Sequence, residues 1–145
     1  MSGQITKFDG DFRFLSNFYN AGFRDEYGFY WPTSEHFYQA HKTVLPHEQT
    51  WVRECSSPGK AKRLGKQVTL REDWEEVKIQ IMQRALFFKF AQNPVCARAL
   101  VKTNPLELIE GNTWGDVYWG MCNGKGKNML GKLLMELRSE LLKYF

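Results

Sequence analysis

Three polar residues with complementary chemistry follow one another at helical spacing in the segment TSEHFYQAHK, residues 33–42. Glu35, Gln39 and Lys42 are four and then three residues apart, so on a helix a carboxylate, an amide and an ammonium share one face. Such a stripe is ordinarily an exposed, ion-paired surface. Here aromatic residues flank it, and a carboxylate or amine removed from water acquires a shifted pKa that suits acid–base or nucleophilic chemistry.

A second candidate is the segment EGNTWGDVYWG, residues 110–120, which is too rich in glycine for a helix or a regular strand. Glycine admits close backbone approach and tryptophan offers a flat face, so such loops commonly bind ligands. Asp116 is the only acid between Glu110 and Glu136. Two interpretations stay open: Asp116 contacts a ligand, or it closes an Asx turn while the tryptophans fill the core.

Two basic segments could meet phosphate. GKGKNMLG, residues 124–131, precedes the last predicted helix, and backbone N–H groups at a helix start favour anions. It has neither the Walker spacing nor the dinucleotide fingerprint. Between Ser56 and Arg71 there are five basic residues and no acid, a pattern equally typical of a solvated face. The net charge of +4 is mild, so it adds little to either interpretation.

The histidine and cysteine spacing predicts neither a metal site nor a disulfide. His36 and His41 are five residues apart and face different ways on a helix, and the three cysteines form no CxxC pair. No apolar run approaches the ~18 residues that span a bilayer, and residues 1–10 contain no apolar signal core. We therefore expect a cytoplasmic protein with no membrane contact, no cofactor, no metal and no obligate protein partner.

The elements that must position these residues follow from periodicity. With 43% hydrophobic and 25% charged residues in 145, one globular domain over 1–145 is expected. The aromatic first thirty residues favour strands and turns. Thr33 is a predicted N-cap, Asn128 is a predicted cap of the last helix, and the fold class is α+β, mostly helical with a small antiparallel sheet. Helices are predicted over 34–44, 46–55, 58–66, 72–92 and 94–102, and a short strand over 106–109. A last helix after Asn128 is predicted to face the core with Leu130, Leu133, Leu134, Leu137 and Leu141.

Taken in order, five segments together resemble the NADAR family of YbiA-like N-glycosidases. The segments are WPTSEHFYQAHK, SSPGKAKRLGK, W-x-x-V-K with M-x-x-A-L-x-x-K-F, GD-x-YWG, and GKGKN-x-LG-x-LLMELR. The match runs from about Phe14 to Leu142. The resemblance implies hydrolysis of an N-glycosidic bond between a ribose and a nitrogen base, without a metal. Its substrates would be either ADP-ribose on guanine in nucleic acid or the ribosylaminopyrimidine phosphates of riboflavin synthesis.

The resemblance also implies roles for particular residues. We expect Glu35 to be the main acid or base and Asp116 to bind ribose hydroxyls or position water, both in one pocket around the anomeric carbon. In a variant of this mechanism the Lys42 amine forms a Schiff base with the ring-opened sugar. Relatives continue YWG with an aspartate where this chain has Met121-Cys122. The residues expected to bind substrate are Trp74, Trp119, Asn17, Gln39, Lys125, Lys127 and Asn128.

A binding module that recognises ADP-ribose or nucleic acid without turnover is the alternative of another class. A paired acid and amine argue against it, because a module that only binds needs neither. Between the two substrate groups, ADP-ribosylated guanine is favoured, because two basic clusters exceed what one monophosphate requires.

Overall fold

Helices form most of the regular structure in the computed structural model, which describes residues 3–145. No helix in that range combines the length and apolar character needed to cross a membrane. Two short 3-10 helices cover Gly10–Leu15 and Leu142–Tyr144. The strands are β1 (Gln4–Ile5), β2 (Phe23–Arg24), β3 (Tyr30–Trp31) and β4 (Glu107–Leu108). The α-helices are α1 (Ser34–Ala40), α2 (Pro46–Arg53), α3 (Pro58–Leu64), α4 (Trp74–Gln92), α5 (Pro94–Lys102) and α6 (Met129–Leu141).

Local capping chemistry explains where several helices start. The Thr33 hydroxyl accepts the backbone N–H of His36 at 3.1 Å, which confirms the predicted N-cap of α1. Ser57 does the same for Lys60 at 3.1 Å, and Pro58 occupies the first turn of α3. Proline suits that position because its missing N–H would have no helical partner there.

Helix α1 ends four residues earlier than its sequence pattern predicts. After Ala40 the chain tightens, and the Lys42 and Thr43 N–H groups donate to carbonyls only three residues back, both at 3.3 Å. The Lys42 carbonyl then accepts the Arg71 N–H at 2.7 Å instead of an N–H further along a helix. Tertiary hydrogen bonding therefore ends α1, and Lys42 lies on the turn that follows.

Residues Asn17–Asn93 form one compact unit in which α1 packs against α2, α3 and α4. Strands β2 and β3 pair antiparallel, with Phe23 opposite Trp31. Both rings are buried and meet Phe37 of α1, at centroid distances of 5.8 and 5.3 Å. The Trp31 indole N–H donates to Asp25 at 3.0 Å, so its one polar atom is satisfied.

The other compact unit joins the residues up to Ser16 with Pro94–Phe145. Here β1 and β4 pair in parallel, and α6 packs against β4 and α5. Arg138 of α6 is buried, and its guanidinium donates to the Thr103 hydroxyl at 3.0 Å and the Leu106 carbonyl at 2.7 Å. These bonds fix α6 to the segment that leads into β4.

The α+β prediction, mostly helical with a small antiparallel sheet, is confirmed. The structure adds the parallel pair β1–β4, which the sequence pattern did not predict. The strand prediction for the first thirty residues is wrong for Gly10–Leu15, where a local turn bond from Phe12 N–H to the Asp9 carbonyl at 2.8 Å starts a 3-10 helix. Aromatic residues favour strands only where neighbouring strands can pack against them. The single-domain prediction stays a prediction.

Candidate active site

The first turn of α1 is where the backbone of Glu35 is fixed. The Glu35 N–H donates to the Asn17 carbonyl at 3.1 Å, and the Ser34 hydroxyl donates to Asn17 Oδ1 at 2.8 Å. The Asn17 amide also donates to the Met82 sulfur at 3.5 Å. Asn17 was predicted to bind substrate; here its Oδ1 atom holds the start of α1 and its amide contacts Met82 of α4, and its role toward substrate stays a prediction.

The Glu35 carboxylate is buried, with 7% of the residue exposed. The Gln39 amide donates to its Oε2 atom at 2.7 Å, across one turn of α1. The predicted helical stripe therefore exists for these two residues as a direct contact between an amide and a carboxylate. Since Gln39 is itself only 4% exposed, this contact is shielded from water.

Lys42, in the turn after α1, is the third member of the group formed with Glu35 and Gln39. Its Nζ atom lies 5.6 Å from the Tyr38 ring centroid and 5.9 Å from that of Trp74, and the two rings are 5.2 Å apart. Trp74 is 7% exposed. It therefore covers the amine together with Tyr38 and does not stand open as a stacking surface.

The electrostatic surroundings of Lys42 favour its neutral form. Burial lowers the pKa of the Lys42 amine, and the positive charges of Lys66 and Lys62 lower it further, while the Glu35 carboxylate acts in the opposite direction. The direction of the net shift is downward. A lysine with a lowered pKa carries more neutral amine at a given pH and is a better nucleophile.

Two of the residues that influence Lys42 belong to the predicted basic cluster over residues 60–66. Lys62 of α3 and Lys66 just beyond it act electrostatically on Lys42. Lys60 differs, because its ammonium donates to the hydroxyl of Ser56, which precedes α3, at 2.9 Å. Within the predicted cluster over residues 60–66, Lys62 and Lys66 therefore influence the candidate site, although Lys66 is exposed, as Lys60 is.

In the other unit, Asp116 closes a turn. Its Oδ1 atom accepts the backbone N–H groups of Tyr118 at 3.1 Å and Trp119 at 2.9 Å, while its own N–H donates to Asn112 Oδ1 at 3.0 Å. The Asx-turn interpretation of Asp116 is therefore correct. The Oδ2 atom takes part in none of these turn bonds, so the turn occupies only one of the two carboxylate oxygens.

The aromatic residues beside this turn are partly exposed. Trp119 meets Tyr118 edge to face at 4.9 Å, and Lys127 Nζ lies 5.6 Å from the Tyr118 ring centroid. Lys125 is exposed and pairs its backbone with Cys122. Met121 and Cys122, which follow Gly120, contribute backbone bonds that shape the turn.

The start of α6 differs from the predicted phosphate site. Met129 and Leu130, whose N–H groups open the helix, donate to the carbonyls of Tyr118 and Trp119 at 3.0 and 2.9 Å. These two donors are therefore not open to an anion, so phosphate binding at this turn, which stays a prediction, would depend on Lys125 and Lys127.

Asn128 is buried and does not cap α6 with its side chain. Its Oδ1 accepts the Glu110 N–H at 2.9 Å and its amide donates to the Leu108 carbonyl at 2.8 Å. Asn128 is the N-cap residue of α6, as predicted, but its side chain makes no capping hydrogen bond. Both polar atoms hold β4 and its exit, a structural use that the residue type alone does not reveal.

Two groups of predicted residues result, and each is described within its own unit. Glu35, Gln39 and Lys42 lie together in residues 17–93, with Trp74 against the amine and Asn17 behind the carboxylate. The second group is Asp116, Trp119, Lys127 and Asn128, with Lys125 on the neighbouring turn. The shared pocket expected for Glu35 and Asp116 stays a prediction.

Sequence reasoning missed two neighbours of the first group. Tyr38 covers Lys42 from four residues back, which helical spacing could have indicated. Gly65 lies against Gln39, where a Cβ atom would sit 2.0 Å from Gln39 Oε1. No local pattern reveals this second contact, because it joins α1 to the end of α3. Among residues 3–145, no three His, Cys, Asp or Glu side chains are placed to share a metal ion.

Comparison with known proteins identifies the family. The sequence model of the NADAR domain matches residues 6–142, nearly the whole chain. The chain belongs to the NADAR domain family.

Two named proteins and one solved structure are similar to this chain. The chain is 47% identical over 114 residues to N-glycosidase YbiA of Shigella boydii, which covers 77% of this chain and 71% of the relative. It is 41% identical over 133 residues to the chloroplastic riboflavin biosynthesis protein PYRR of Zea mays, covering 81% of this chain and 21% of that protein. The NMR structure of Escherichia coli YbiA superposes with a TM-score of 0.88 at 40% identity, covering 99% of this chain and 88% of that one.

Proposed function

We propose that this chain hydrolyses the N-glycosidic bond that joins ADP-ribose to guanine in nucleic acid. By its family the chain is a hydrolase acting on N-glycosyl compounds, as its relatives named N-glycosidases are. The observation that supports the proposal most is the buried Glu35 carboxylate, which is bonded to Gln39 and interacts electrostatically with the Lys42 amine. An acid and an amine in one partly dry site are what acid–base or covalent cleavage of a glycosidic bond requires.

Cleavage of such a bond builds positive charge on the anomeric carbon and the ring oxygen. A carboxylate beside that carbon stabilises the charge or takes a proton from the attacking water. Glu35 suits this role because it is buried and fixed at both its backbone and its side chain. The water oxygen bonds to the anomeric carbon, the carbon–nitrogen bond breaks, and the nitrogen gains a proton and leaves with the base.

The lowered pKa of Lys42 supports a covalent variant of this route. When the sugar ring opens, the anomeric carbon becomes an iminium carbon that still carries the base. The neutral amine adds to it, the base leaves as its own amine, and a lysine imine remains. Water then hydrolyses the imine, which returns the amine and releases the sugar aldehyde for ring closure.

The basic residues support a diphosphate-containing substrate. Lys62 and Lys66 act electrostatically on Lys42, so an anionic group of the substrate near the reacting carbon would be stabilised there. Counted together with the exposed Lys125 and Lys127 of the other unit, these charges exceed what one monophosphate needs. We assign Asp116 to the ribose hydroxyls or to the attacking water.

Trp119 is assigned to stacking against the base, since it is partly exposed. Trp74 is assigned to covering the amine instead, because it is buried against Tyr38 and Lys42. The two tryptophans that the resemblance links to the site would thus act differently: one on the substrate and the other on a catalytic residue.

The name of the maize relative favours a second candidate function, hydrolysis of a ribosylaminopyrimidine phosphate. The chemistry at the anomeric carbon would be the same, and only the base and the number of phosphates would differ. The same active-site residues serve both substrates, so a direct comparison of turnover decides between them.

The deciding experiment assays both substrates with the wild type, Glu35→Gln, Lys42→Ala and Glu76→Gln. Glu76 is an exposed acid in the first turn of α4, so its variant is the matched control for loss of a carboxylate. We expect wild type and Glu76→Gln to release ADP-ribose from a modified guanine oligonucleotide, and Glu35→Gln to lose at least about a hundredfold in kcat. Lys42→Ala separates the two routes, since only the covalent one requires the amine.

Three results would contradict the proposal. Faster turnover of the pyrimidine phosphate would reverse the substrate order. Retention of the modified oligonucleotide without release would indicate a binding module. Full activity of Glu35→Gln would remove the carboxylate from the mechanism.

A further inference from the structure

We propose that Gln39 is a positioning residue that fixes the Glu35 carboxylate, and that Gly65 is kept free of a side chain to hold Gln39 in that position. The inference replaces the expected contact of Gln39 with substrate. It rests on the proposed function only in treating Glu35 as the acid or base.

The amide orientation of Gln39 follows from its neighbour. Its Nε2 donates to Glu35 Oε2 at 2.7 Å. Turning the amide over would place two acceptor oxygens at that distance, because a carboxylate offers no proton. The hydrogen bond to Glu35 therefore determines which way the amide points.

The oxygen of the same amide gains no comparable stabilisation. Gln39 Oε1 is buried and accepts no hydrogen bond, an unusual state for an interior acceptor. An oxygen buried in this way opposes folding, so the conformation is not explained by the stability of Oε1 itself. The conformation is explained if Gln39 Nε2 must donate to Glu35, because the gain then lies in the position of the carboxylate at the candidate site.

Gly65 supplies the space for this arrangement. A Cβ atom at residue 65 would lie 2.0 Å from Gln39 Oε1, 2.8 Å from its Cδ and 3.0 Å from its Cβ. The backbone of Gly65 is ordinary right-handed helix, with φ −59° and ψ −21°, so the backbone would accept alanine. Only the side chain of Gln39 excludes a larger residue there.

Since Gln39 Cβ is among the atoms that such a side chain would meet, rotation of the amide alone would not relieve the contact. The Gln39 side chain would have to withdraw as a whole, and its donor would then leave Glu35. A substitution at Gly65, outside the catalytic group, is therefore expected to act on the carboxylate through Gln39.

The first experiment compares Gln39→Leu, Gly65→Ala and Gly59→Ala with the wild type on the modified guanine oligonucleotide. Gly59 lies in the same helix, and its Cβ would meet nothing nearer than the Ser57 hydroxyl at 3.9 Å, so it is the matched control. We expect Gln39→Leu and Gly65→Ala to lower kcat by about tenfold to a hundredfold with KM within about twofold. Gly59→Ala should retain wild-type kinetics.

A double-mutant cycle tests the route through Gln39. When Gln39→Ala has already removed Oε1 and Cδ, the two nearest contacts, Gly65→Ala should cost much less further kcat than in the wild type, because only the 3.0 Å contact with Cβ remains. Independent losses at the two positions would overturn the inference.

Gln39→Glu gives a readout that a merely structural role would not move. Two carboxyl groups at this distance share one proton, and the protonated carboxyl group introduced at position 39 then donates to Glu35 as the amide did. The activity of Gln39→Glu relative to wild type should therefore rise as pH falls and the shared proton binds. A ratio independent of pH, or a loss confined to KM, would overturn the inference.

Failure of the positioning role of Gln39 can be distinguished from failure of the proposed function. If Glu35→Gln is inactive while Gln39→Leu is fully active, the acid or base stands and the positioning role fails. If Glu35→Gln is itself active, the role of Glu35 in the proposed mechanism fails first. Should Gln39→Leu not fold, Gly65→Ala and the pH series of Gln39→Glu decide the matter.

Discussion

The Lys42 ammonium nitrogen lies 5.9 Å from the ring centroid of Trp74, the first residue of α4, and 5.6 Å from that of Tyr38. The Lys42 carbonyl also accepts the N–H of Arg71, three residues before that helix. The turn after α1 is thus fixed to the start of α4 at both its backbone and its side chain. Lys42 is held in place and partly dry, which is the physical basis of its lowered pKa.

The charge of Lys66 is predicted to set the pH at which Lys42 becomes nucleophilic. Lys66 lowers the pKa of the Lys42 amine, so Lys66→Gln should raise that pKa. Less neutral amine is then present at a given pH, and the rising limb of kcat/KM should move to higher pH. The measurement is the shape of the pH profile, which separates this effect from weaker phosphate binding.

Lys60→Gln is the matched control, because its ammonium is exposed and bonded to Ser56. It removes one positive charge from the same basic segment and should leave the position of the limb unchanged. A limb that moves equally in both variants would show only a general effect of net charge.

Reduction during turnover tests the imine itself. With borohydride added, the covalent route predicts that the ADP-ribosyl chain becomes attached to the peptide that contains Lys42, which mass spectrometry detects. Lys42→Arg should give no adduct, because the guanidinium stays protonated. An active Lys42→Ala enzyme, together with a wild type that yields no adduct, would point to direct attack by water.

His36 is predicted to make the fold less stable in acid. The Cys55 carbonyl can only accept, so His36 Nε2 carries the proton and Nδ1 accepts the Thr33 hydroxyl. Burial lowers the pKa of His36, with the bond to Cys55 acting in the opposite direction. The unfolded chain therefore binds more protons as pH falls through about 6.5, and the free energy of unfolding should drop there.

The slope is at most ~1.4 kcal/mol per pH unit for one histidine. The free energy of unfolding of His36→Gln, measured with urea between about pH 7.5 and pH 5 around the ~6.5 reference value, should depend less steeply on pH than that of the wild type. His47→Gln removes an exposed histidine from α2 and is the matched control. Equal flattening in the two variants would contradict the assignment to His36.

Much of the fold could be predicted because its causes are local. The caps at Thr33 and Ser57, and the prolines that start α2, α3 and α5, are encoded within a few residues of where they act. The end of α1 and the parallel pairing of β1 with β4 depend on partners distant in the sequence. Spacing along one helix does not contain that information.

The same division holds for the candidate site. Helical spacing places Gln39 on the same face as Glu35, and the structure joins them at 2.7 Å. Helical spacing does not show that Gly65 limits the space around Gln39. Nor does it show that Glu48, buried in the first turn of α2, accepts hydrogen bonds from Thr43 and Thr69. Hydrogen bonds between elements decide which polar residues are structural.

Asn128 is predicted to act on stability and not on substrate affinity. Asn128→Ala leaves the Glu110 N–H and the Leu108 carbonyl without their partner. A loss of about 2 kcal/mol in the free energy of unfolding is expected, with KM unchanged in the folded fraction. Asn123→Ala is the matched control, because Asn123 has a similar positive φ of 54° but is exposed.

A raised KM with unchanged stability in Asn128→Ala would return the residue to the substrate-binding set. Urea unfolding and steady-state kinetics on the same preparations separate the two outcomes. The control matters because it removes the same side chain from a similar backbone conformation.

Asp116→Asn separates the charge of Asp116 from its turn. An asparagine oxygen still accepts the N–H groups of Tyr118 and Trp119, so the free energy of unfolding should change by less than about 0.5 kcal/mol. If the carboxylate binds ribose or positions water, kcat/KM should nevertheless fall by about tenfold or more. Asp116→Ala loses the turn as well and should reduce both quantities.

Combining Asp116→Asn with Glu35→Gln tests whether the two carboxylates act on one bound sugar. Residues that work as a unit give strongly non-additive losses, because the second substitution removes a step that the first has already disabled. We therefore expect the double variant to lose much less than the product of the two single losses. Strict multiplication of those losses, measured in kcat/KM on the modified guanine oligonucleotide, would mean that Glu35 and Asp116 act independently, and the single catalytic pocket expected from the sequence would have to be abandoned.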